Sequence, residues 1–300
     1  MLPVDHDTVF EACSVSKTVF AYMVMKLCER GLLQLDTPLT RYTKARFVRD
    51  DPQLDLITVR NVLSHTSGLP NWRSAQQPLA IEFAPGSKWS YSGEGYYYLQ
   101  TIIAQRFGRI ESKDCGVVGD AEVCAWNFDE YMKALVLRPF GMKSSGYLWS
   151  AARDSGLARG HTANGTPLRR HASRRDAARY GAAGGLHTTA TDYARFLIEL
   201  MRSPRPDAYR LNASTRREMV RPQVRISDTN SWALGWQVEP TAVGNVLSHS
   251  GDNPGFKALA AVSIEKQRGF VMLTNADTGF EVILKVLRSE GMRKFLPLAV

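Results

Sequence analysis

Apolar residues first recur with a helical period near the start of the chain. Phe20, Met23, Val24 and Leu27 fall at i, i+3, i+4 and i+7, which predicts a helix from about Ser14 to Arg30 with one buried face. Gly31 follows as its stop. A short helix is expected around Val59 to Ser64, with Thr58 as its cap. Another begins near Thr189, where Thr189 and Asp192 have capping-box spacing and Tyr193, Phe196, Leu197 and Leu200 form the apolar stripe. The period then changes. Trp232 to Val238, Asn245 to Ser250, Lys257 to Ile264 and Gly269 to Asn275 read as strands, and the polar stretch Glu265 to Gly269 turns a hairpin between the last two. Phe280, Ile283, Leu284 and Leu287 mark a final helix. Helices in the middle and strands gathered at the end predict an α+β fold, an antiparallel sheet with a helical sub-domain inserted.

Composition changes this picture little. With 300 residues, 44% of them hydrophobic, the chain can bury one large core or two sub-domains sharing a cleft. The net charge of +9 is read as a solvated basic surface. The densest basic stretch is Arg169, Arg170, His171, Arg174, Arg175 and Arg179; Tyr180 is its only aromatic neighbour and it matches no nucleic-acid motif, so no nucleic-acid partner is expected. The sequence shows no signal peptide and no apolar run long enough to span a membrane. Cys13 and Cys28 flank the first helix as buried thiols, whereas Cys115 and Cys124, in a Gly-rich loop, could pair in an oxidising compartment. With neither Cys-x-x-Cys nor His-Glu-x-x-His spacing, no metal or other cofactor is expected.

Three segments carry candidate chemistry. In Ser14-Val15-Ser16-Lys17 the alcohol and the amine share a helix face at i and i+3. A serine is a poor nucleophile until a base takes its proton, and a lysine can be that base when burial favours its neutral form. Ser14 also sits at a helix start, where free backbone N–H groups favour developing negative charge. Taken alone, Ser-x-x-Lys is a chance-level pattern that reads more simply as a capped, solvated helix start. The stretch Pro85-Gly86 to Tyr96 is rich in turn residues, which puts Tyr91 on a tight loop where a phenol could relay a proton; Tyr96, Tyr97 and Tyr98 read as packing aromatics. Finally, Leu247 to Phe256, containing His249-Ser250-Gly251-Asp252, is a strand end entering a Gly-rich turn, where backbone can approach a substrate closely.

In this order, Ser-Val-Ser-Lys, Tyr-Ser-Gly and His-Ser-Gly resemble the three active-site elements of the class C β-lactamase-like, penicillin-binding-protein-like serine hydrolases. Asn61 to Pro70, Leu137 to Met142 and Gly184 to Thr189 are similar to further segments of that family, so the resemblance covers nearly the whole chain. It implies one catalytic domain over 1–300, with a helical sub-domain at roughly 31–225 and a sheet sub-domain at roughly 1–30 and 226–300. It also implies Ser14 as nucleophile, Lys17 as proton acceptor with Tyr91 as partner, and the N–H groups of Ser14 and Asp252 as oxyanion donors. His249, Ser250, Gly251, Asp252 and Gly93 would line the substrate cleft. The implied substrates are small esters, amides or β-lactams; a D,D-peptidase or D-aminopeptidase acting on short peptides, and a silent peptide-binding relative, are the alternatives. A Ser-His-Asp triad through His65 or His249 is disfavoured because no Gly-x-Ser-x-Gly elbow occurs; His65 is expected to support a loop.

The sequence departs from the family pattern in three places. Gly93 stands where penicillin-binding relatives carry Asn, which removes an amide that could hold a substrate. His249 stands where many β-lactamases carry Lys, and an imidazole holds a carboxylate less firmly than a fixed ammonium. Only thirteen residues precede Ser14, whereas relatives have strands of the sheet there; the expectation is that N-terminal strands are missing and a sheet edge is uncovered.

Overall fold

The computed structural model describes residues 3–74, 76–107, 128–148, 156–168, 181–203, 207–242 and 244–298. Cys115, Cys124 and the basic stretch from Arg169 to Tyr180 lie outside the described residues, and so does the question of the Cys115–Cys124 pair.

The fold is α+β. A six-stranded antiparallel sheet is built in chain order from β3 (Val224–Arg225), β4 (Ser231–Trp232), β5 (Gln237–Thr241), β6 (Gly244–Asn253), β7 (Phe256–Ser263) and β8 (Arg268–Thr274). All eight residues of β7 are buried, as expected of a near-continuous apolar run in an inner strand. β8 is a sheet edge with every residue half-buried. A separate pair joins β1 (Phe10–Glu11) to β2 (His187–Thr188), which anchors the chain just before Ser14.

The expected strand from Trp232 to Val238 is broken into β4 and β5. Gly235, at φ +88, turns the chain between them, and its N–H donates to Leu63 O at 2.9 Å. A Cβ there would lie 2.5 Å from the Ala21 side chain, so the close approach itself requires glycine.

Among the described residues the helices include α1 (Ser16–Glu29), α2 (Val59–Leu63), α3 (Gly93–Phe107), α4 (Ala190–Met201), α5 (Ala213–Val220), α6 (Gly279–Arg288) and α7 (Glu290–Phe295), together with short 3₁₀ turns such as Cys13–Val15. The expected caps are present: Thr58 and Asn61 form a reciprocal capping box on α2, and Thr189 accepts from Asp192 N–H at 3.0 Å on α4. Tyr193, Phe196, Leu197 and Leu200 are all buried, as the stripe required.

α1 differs from expectation. It has no single buried face: every residue from Ser16 to Leu27 is buried, so it runs through the core. Its polar residues are satisfied there, Thr18 by Val15 O and the Tyr193 hydroxyl, Lys26 by Glu29 and two carbonyls. One apolar cluster joins α1 (Phe20, Met23, Leu27) to α3 (Tyr96, Leu99, Ile103), α4 (Phe196) and the sheet (Val238, Ala260, Val262). Each large side chain buried in this way contributes roughly 1.5–3 kcal/mol, which fixes α1, and with it Ser14 and Lys17, against the rest of the molecule.

Candidate active site

Ser14 lies in the 3₁₀ turn that leads into α1, one turn earlier than a regular helix start. Cys13 before it adopts φ +51, a left-handed conformation unusual outside glycine. Three neighbours hold the turn. Ser16 Oγ donates to Cys13 O and accepts from Leu186 N–H, and Ala12 N–H donates to Leu186 O. Gly251 of β6 closes the other side, where a Cβ would lie 2.7 Å from Cys13 Cβ, 2.9 Å from Ala12 O and 3.1 Å from Ser14 N. The third sequence element is thus packed directly onto the backbone of the first.

Lys17 is fully buried, and its Nζ lies 3.2 Å from Ser14 Oγ. The same amine donates to Ala183 O. The Tyr91 ring centroid lies 4.8 Å from it and that of Tyr96 5.4 Å. No carboxylate reaches it among the described residues. Burial pulls its pKa down to about 7, and the smaller influence of Cys13 opposes it. At neutral pH a large fraction of Lys17 is therefore unprotonated, with two N–H groups to donate and a lone pair free for the Ser14 hydroxyl.

Tyr91 sits on the loop just before α3, as expected. Burial pushes its phenol well above the ordinary value, and the nearby Ser14 hydroxyl offsets part of that rise, though no hydrogen bond of normal geometry joins the two. The loop is positioned by the Asn61–Pro70 segment. His65 O accepts Ser90 N–H at 2.8 Å, His65 Nδ1 accepts Ser92 N–H at 3.0 Å, and the His65 ring lies 4.2 Å from the Tyr91 ring.

His249 faces the same pocket from β6, with its ring centroid 6.0 Å from that of Tyr91 and 5.3 Å from that of Trp232. Its Nδ1–H donates to Ser250 O at 2.6 Å, which leaves Nε2 as a buried acceptor without a partner among the described residues. Burial and the Lys17 charge lower its pKa to about 3, and the same two causes hold His65 well below the usual imidazole value. Both rings are neutral near pH 7, so the pocket has no fixed cation at the His249 position. Asp252 is exposed and its carboxylate pairs with Lys257 at 2.8 Å, so any contribution to an oxyanion site would come from its backbone. Ser250 is exposed on the opposite face of β6 from His249.

Gly93 opens α3, and its missing side chain leaves no void. A Cβ would lie 2.5 Å from Trp72 Cη2 and 2.8 Å from Asn71 O. Tyr96, read from the sequence as a packing aromatic, also lies beside Lys17. Other neighbouring groups were not singled out in the sequence: Ala183 O, and Trp89 and Trp232, whose indole rings lie 5.7 Å apart beside His65. The carbonyl has no sequence signal of its own. The tryptophans could have been suspected from their nearness to Tyr91 and to the final strands. Among the described residues no group of three or more His, Cys, Asp or Glu side chains could hold a metal ion, and no helix is long and apolar enough to cross a membrane.

This architecture is that of the class C β-lactamases: a class C β-lactamase mutant superposes with a TM-score of 0.74 at 21% identity, covering 95% of this chain and 83% of that one. The sequence is 29% identical to esterase EstB of Burkholderia gladioli over 177 residues, covering 49% of this chain and 40% of the relative. It is 21% identical to penicillin-binding protein 4* of Bacillus subtilis over 334 residues, covering 96% of this chain and 65% of the relative. The chain thus spans less than two thirds of the length of these relatives. The family model described as Beta-lactamase matches residues 2–288, nearly the whole length and all three of the elements that meet in the pocket, and the chain belongs to the beta-lactamase family.

Proposed function

We propose that the protein is a serine hydrolase that acts through an acyl-enzyme on Ser14, with small esters as its best substrates. The observation that carries this reading is the 3.2 Å contact between Ser14 Oγ and a buried Lys17 amine whose pKa falls to about 7. The lone pair of neutral Lys17 takes the Ser14 proton as Oγ attacks the carbonyl carbon. The resulting oxyanion is held by the backbone N–H groups of Ser14, in its turn, and Asp252, in β6, two segments that the bare Gly251 lets approach closely. The C–O bond to the leaving alcohol breaks as a proton passes to it from Lys17, with the Tyr91 phenol as relay. Water then attacks the acyl-enzyme with Lys17 again accepting the proton, which restores Ser14 and releases the acid.

Esters are favoured over β-lactams and D-peptides because the latter commonly carry a carboxylate, and neutral His249 offers it no fixed positive charge. The similarity to a protein named as an esterase supports the same preference. The test is labelling with a fluorophosphonate and with a fluorescent penicillin, followed by peptide mass mapping. We expect the phosphonate on Ser14, its loss in Ser14→Ala, and turnover of a short-chain p-nitrophenyl ester. A folded, unlabelled protein would leave the silent peptide-binding reading in its place.

A further inference from the structure

We propose that Lys257 is a positioning residue for ester hydrolysis: from the outer face of the sheet its ammonium fixes the end of β6, and with it the Asp252 N–H that meets the developing oxyanion. This rests on the hydrolase reading above and adds to it a residue that lies just beyond the third active-site segment.

The end of β6 needs an anchor. β5 pairs with β6 only as far as Ser248, so from His249 onward β7 is the one strand beside it among the described residues. The two strands are joined by the two-residue turn Pro254-Gly255, with Asn253 opposite Phe256 and Gly255 at φ +77. Hydrogen-bonded and open pairs alternate along an antiparallel hairpin. The turn closes on Asn253 and Phe256 as the hydrogen-bonded pair, which makes Asp252 and Lys257 an open pair. The Asp252 N–H therefore points away from β7, to the side that β5 has left free. The Ser14 turn packs on this same stretch of β6, closest at Gly251. An oxyanion donor works only within about 2.7–3.1 Å of the oxygen, and a misplacement of about 1 Å can cost about 10²-fold in rate. A strand end supported along one edge does not by itself hold that tolerance.

Lys257 supplies the missing support. It stands directly opposite Asp252, and their side chains meet on the face of the sheet away from His249. Its Nζ lies 2.8 Å from Asp252 Oδ1, 3.2 Å from Asn253 O and 3.0 Å from Asp277 Oδ1. These three oxygens match the three hydrogens of an ammonium. Asp277 Oδ1 also accepts Gly255 N–H at 2.7 Å, and Asp277 N–H donates to His161 O at 2.9 Å. Asp252, Asn253 and the turn itself are thus tied to the segment that follows β8. A Cβ on Gly279 would lie 2.9 Å from Lys257 Cβ, so the start of α6 covers the lysine stem, and Lys257 is 6% exposed. From the inner face Asn253 Nδ2 donates to Glu11 Oε2 at 2.8 Å and to Gly184 O at 3.4 Å. Glu11 lies three residues before Ser14, and Gly184 follows Ala183, whose carbonyl accepts from Lys17. The end of β6 is held from both faces, in step with the nucleophile and its base.

The test measures kcat and KM for p-nitrophenyl acetate, and Ki for phenylboronic acid, whose tetrahedral adduct with a serine alkoxide puts an oxygen in the oxyanion site. The proteins compared are the wild type, Lys257→Met and Asp277→Ala. The carboxylates of Asp252 and Asp277 keep contact with water, at 66% and 34% side-chain exposure, so Lys257→Met leaves neither of them buried and unpaired. We expect Lys257→Met to lower kcat by about 10–100-fold and to raise the boronate Ki by a similar factor, while KM changes by less than about threefold. A lower midpoint in thermal unfolding with wild-type kcat and boronate Ki would overturn the proposal and leave Lys257 a stabilising residue only. With Ser14 of the wild type labelled by the fluorophosphonate, that result would spare the hydrolase reading; a wild type that never labels would remove both. Should Lys257→Met fail to fold, Asp277→Ala decides the matter. It takes one acceptor from the ammonium and frees Gly255 N–H, so kcat and the boronate Ki should move in the same directions by a smaller factor, and no change in either would overturn the proposal.

Discussion

His65 holds Tyr91 from both sides of the chain and across its face. The residue before Tyr91 donates to the His65 carbonyl, the residue after it donates to Nδ1, and the two rings lie 4.2 Å apart. His65 itself adopts φ +57, a conformation unusual for its type, so the surrounding contacts sustain some strain to keep this grip. Because Nδ1 is an acceptor, the ring must be neutral with its proton on Nε2. The imidazole therefore acts on the site through Tyr91 and not as a base of its own.

Replacing His65 with Phe keeps the ring and removes the acceptor. The Ser92 N–H is then buried without a partner, at a cost of about 1–3 kcal/mol. We expect a lower midpoint in urea unfolding, together with a fall in kcat for ester hydrolysis larger than the change in KM. His65→Asn, which can restore an acceptor, should recover part of the stability; equal stability of His65→Phe and wild type would show that the bond contributes nothing.

Activity should rise with pH through about 7. Lys17 must be neutral to accept the Ser14 proton, and its pKa is lowered to about that value by burial. A pH profile of kcat/KM with no ascending limb between pH 6 and 8 would argue against Lys17 as the base. In Lys17→Met we expect a loss of roughly 10²–10⁴-fold in kcat/KM, measured on a protein whose circular dichroism is unchanged.

The same shift makes a stability prediction. Lys17 has an ordinary pKa near 10.5 when unfolded and about 7 when folded, so between these values the unfolded chain binds the extra proton. Stability should therefore fall as pH drops from 10.5 towards 7, and level off below 7 as far as this group is concerned. Lys17→Met should flatten that dependence and be at least as stable as the wild type at pH 7, as measured by denaturant titration at several pH values.

Gly251→Ala should damage both fold and function. The new methyl would press on Cys13 Cβ, Ala12 O and Ser14 N, all inside ordinary contact distance and two of them backbone atoms. We expect about 1–3 kcal/mol of destabilisation and slower phosphonate labelling of Ser14, because the turn that carries the nucleophile must move. Labelling at the wild-type rate would show that β6 does not set the position of that turn.

Arg73→Ala leaves the Glu94 carboxylate buried without its cation. Breaking a buried pair in this way costs about 3–5 kcal/mol, towards the lower end here because Arg73 keeps some exposure to solvent. The double variant Arg73→Met with Glu94→Gln should be less destabilised than Arg73→Ala in thermal unfolding; equal losses would mean that the charge pair is not the reason.

Local patterns in the chain were enough for the caps at Thr58 and Thr189, the stripe on Tyr193 to Leu200, the hairpin of β7 and β8, and the pairing of Ser14 with Lys17, since each depends on spacing within a few residues. They were not enough for α1. A 3.6-residue period shows that one face is apolar but not that the other is also covered, and burial of that second face is what lowers the Lys17 pKa. The break at Gly235 was missed for a related reason: its need for glycine comes from Ala21, more than two hundred residues away. Gly93 likewise read as an absent amide, whereas the folded chain fills its place with the Trp72 indole. The sequence by itself determined which alcohol, amine and phenol are available and the order in which they come. Only the tertiary structure decided the dry surroundings that leave the amine unprotonated at neutral pH, because desolvation and close approach depend on distant segments that no local spacing encodes.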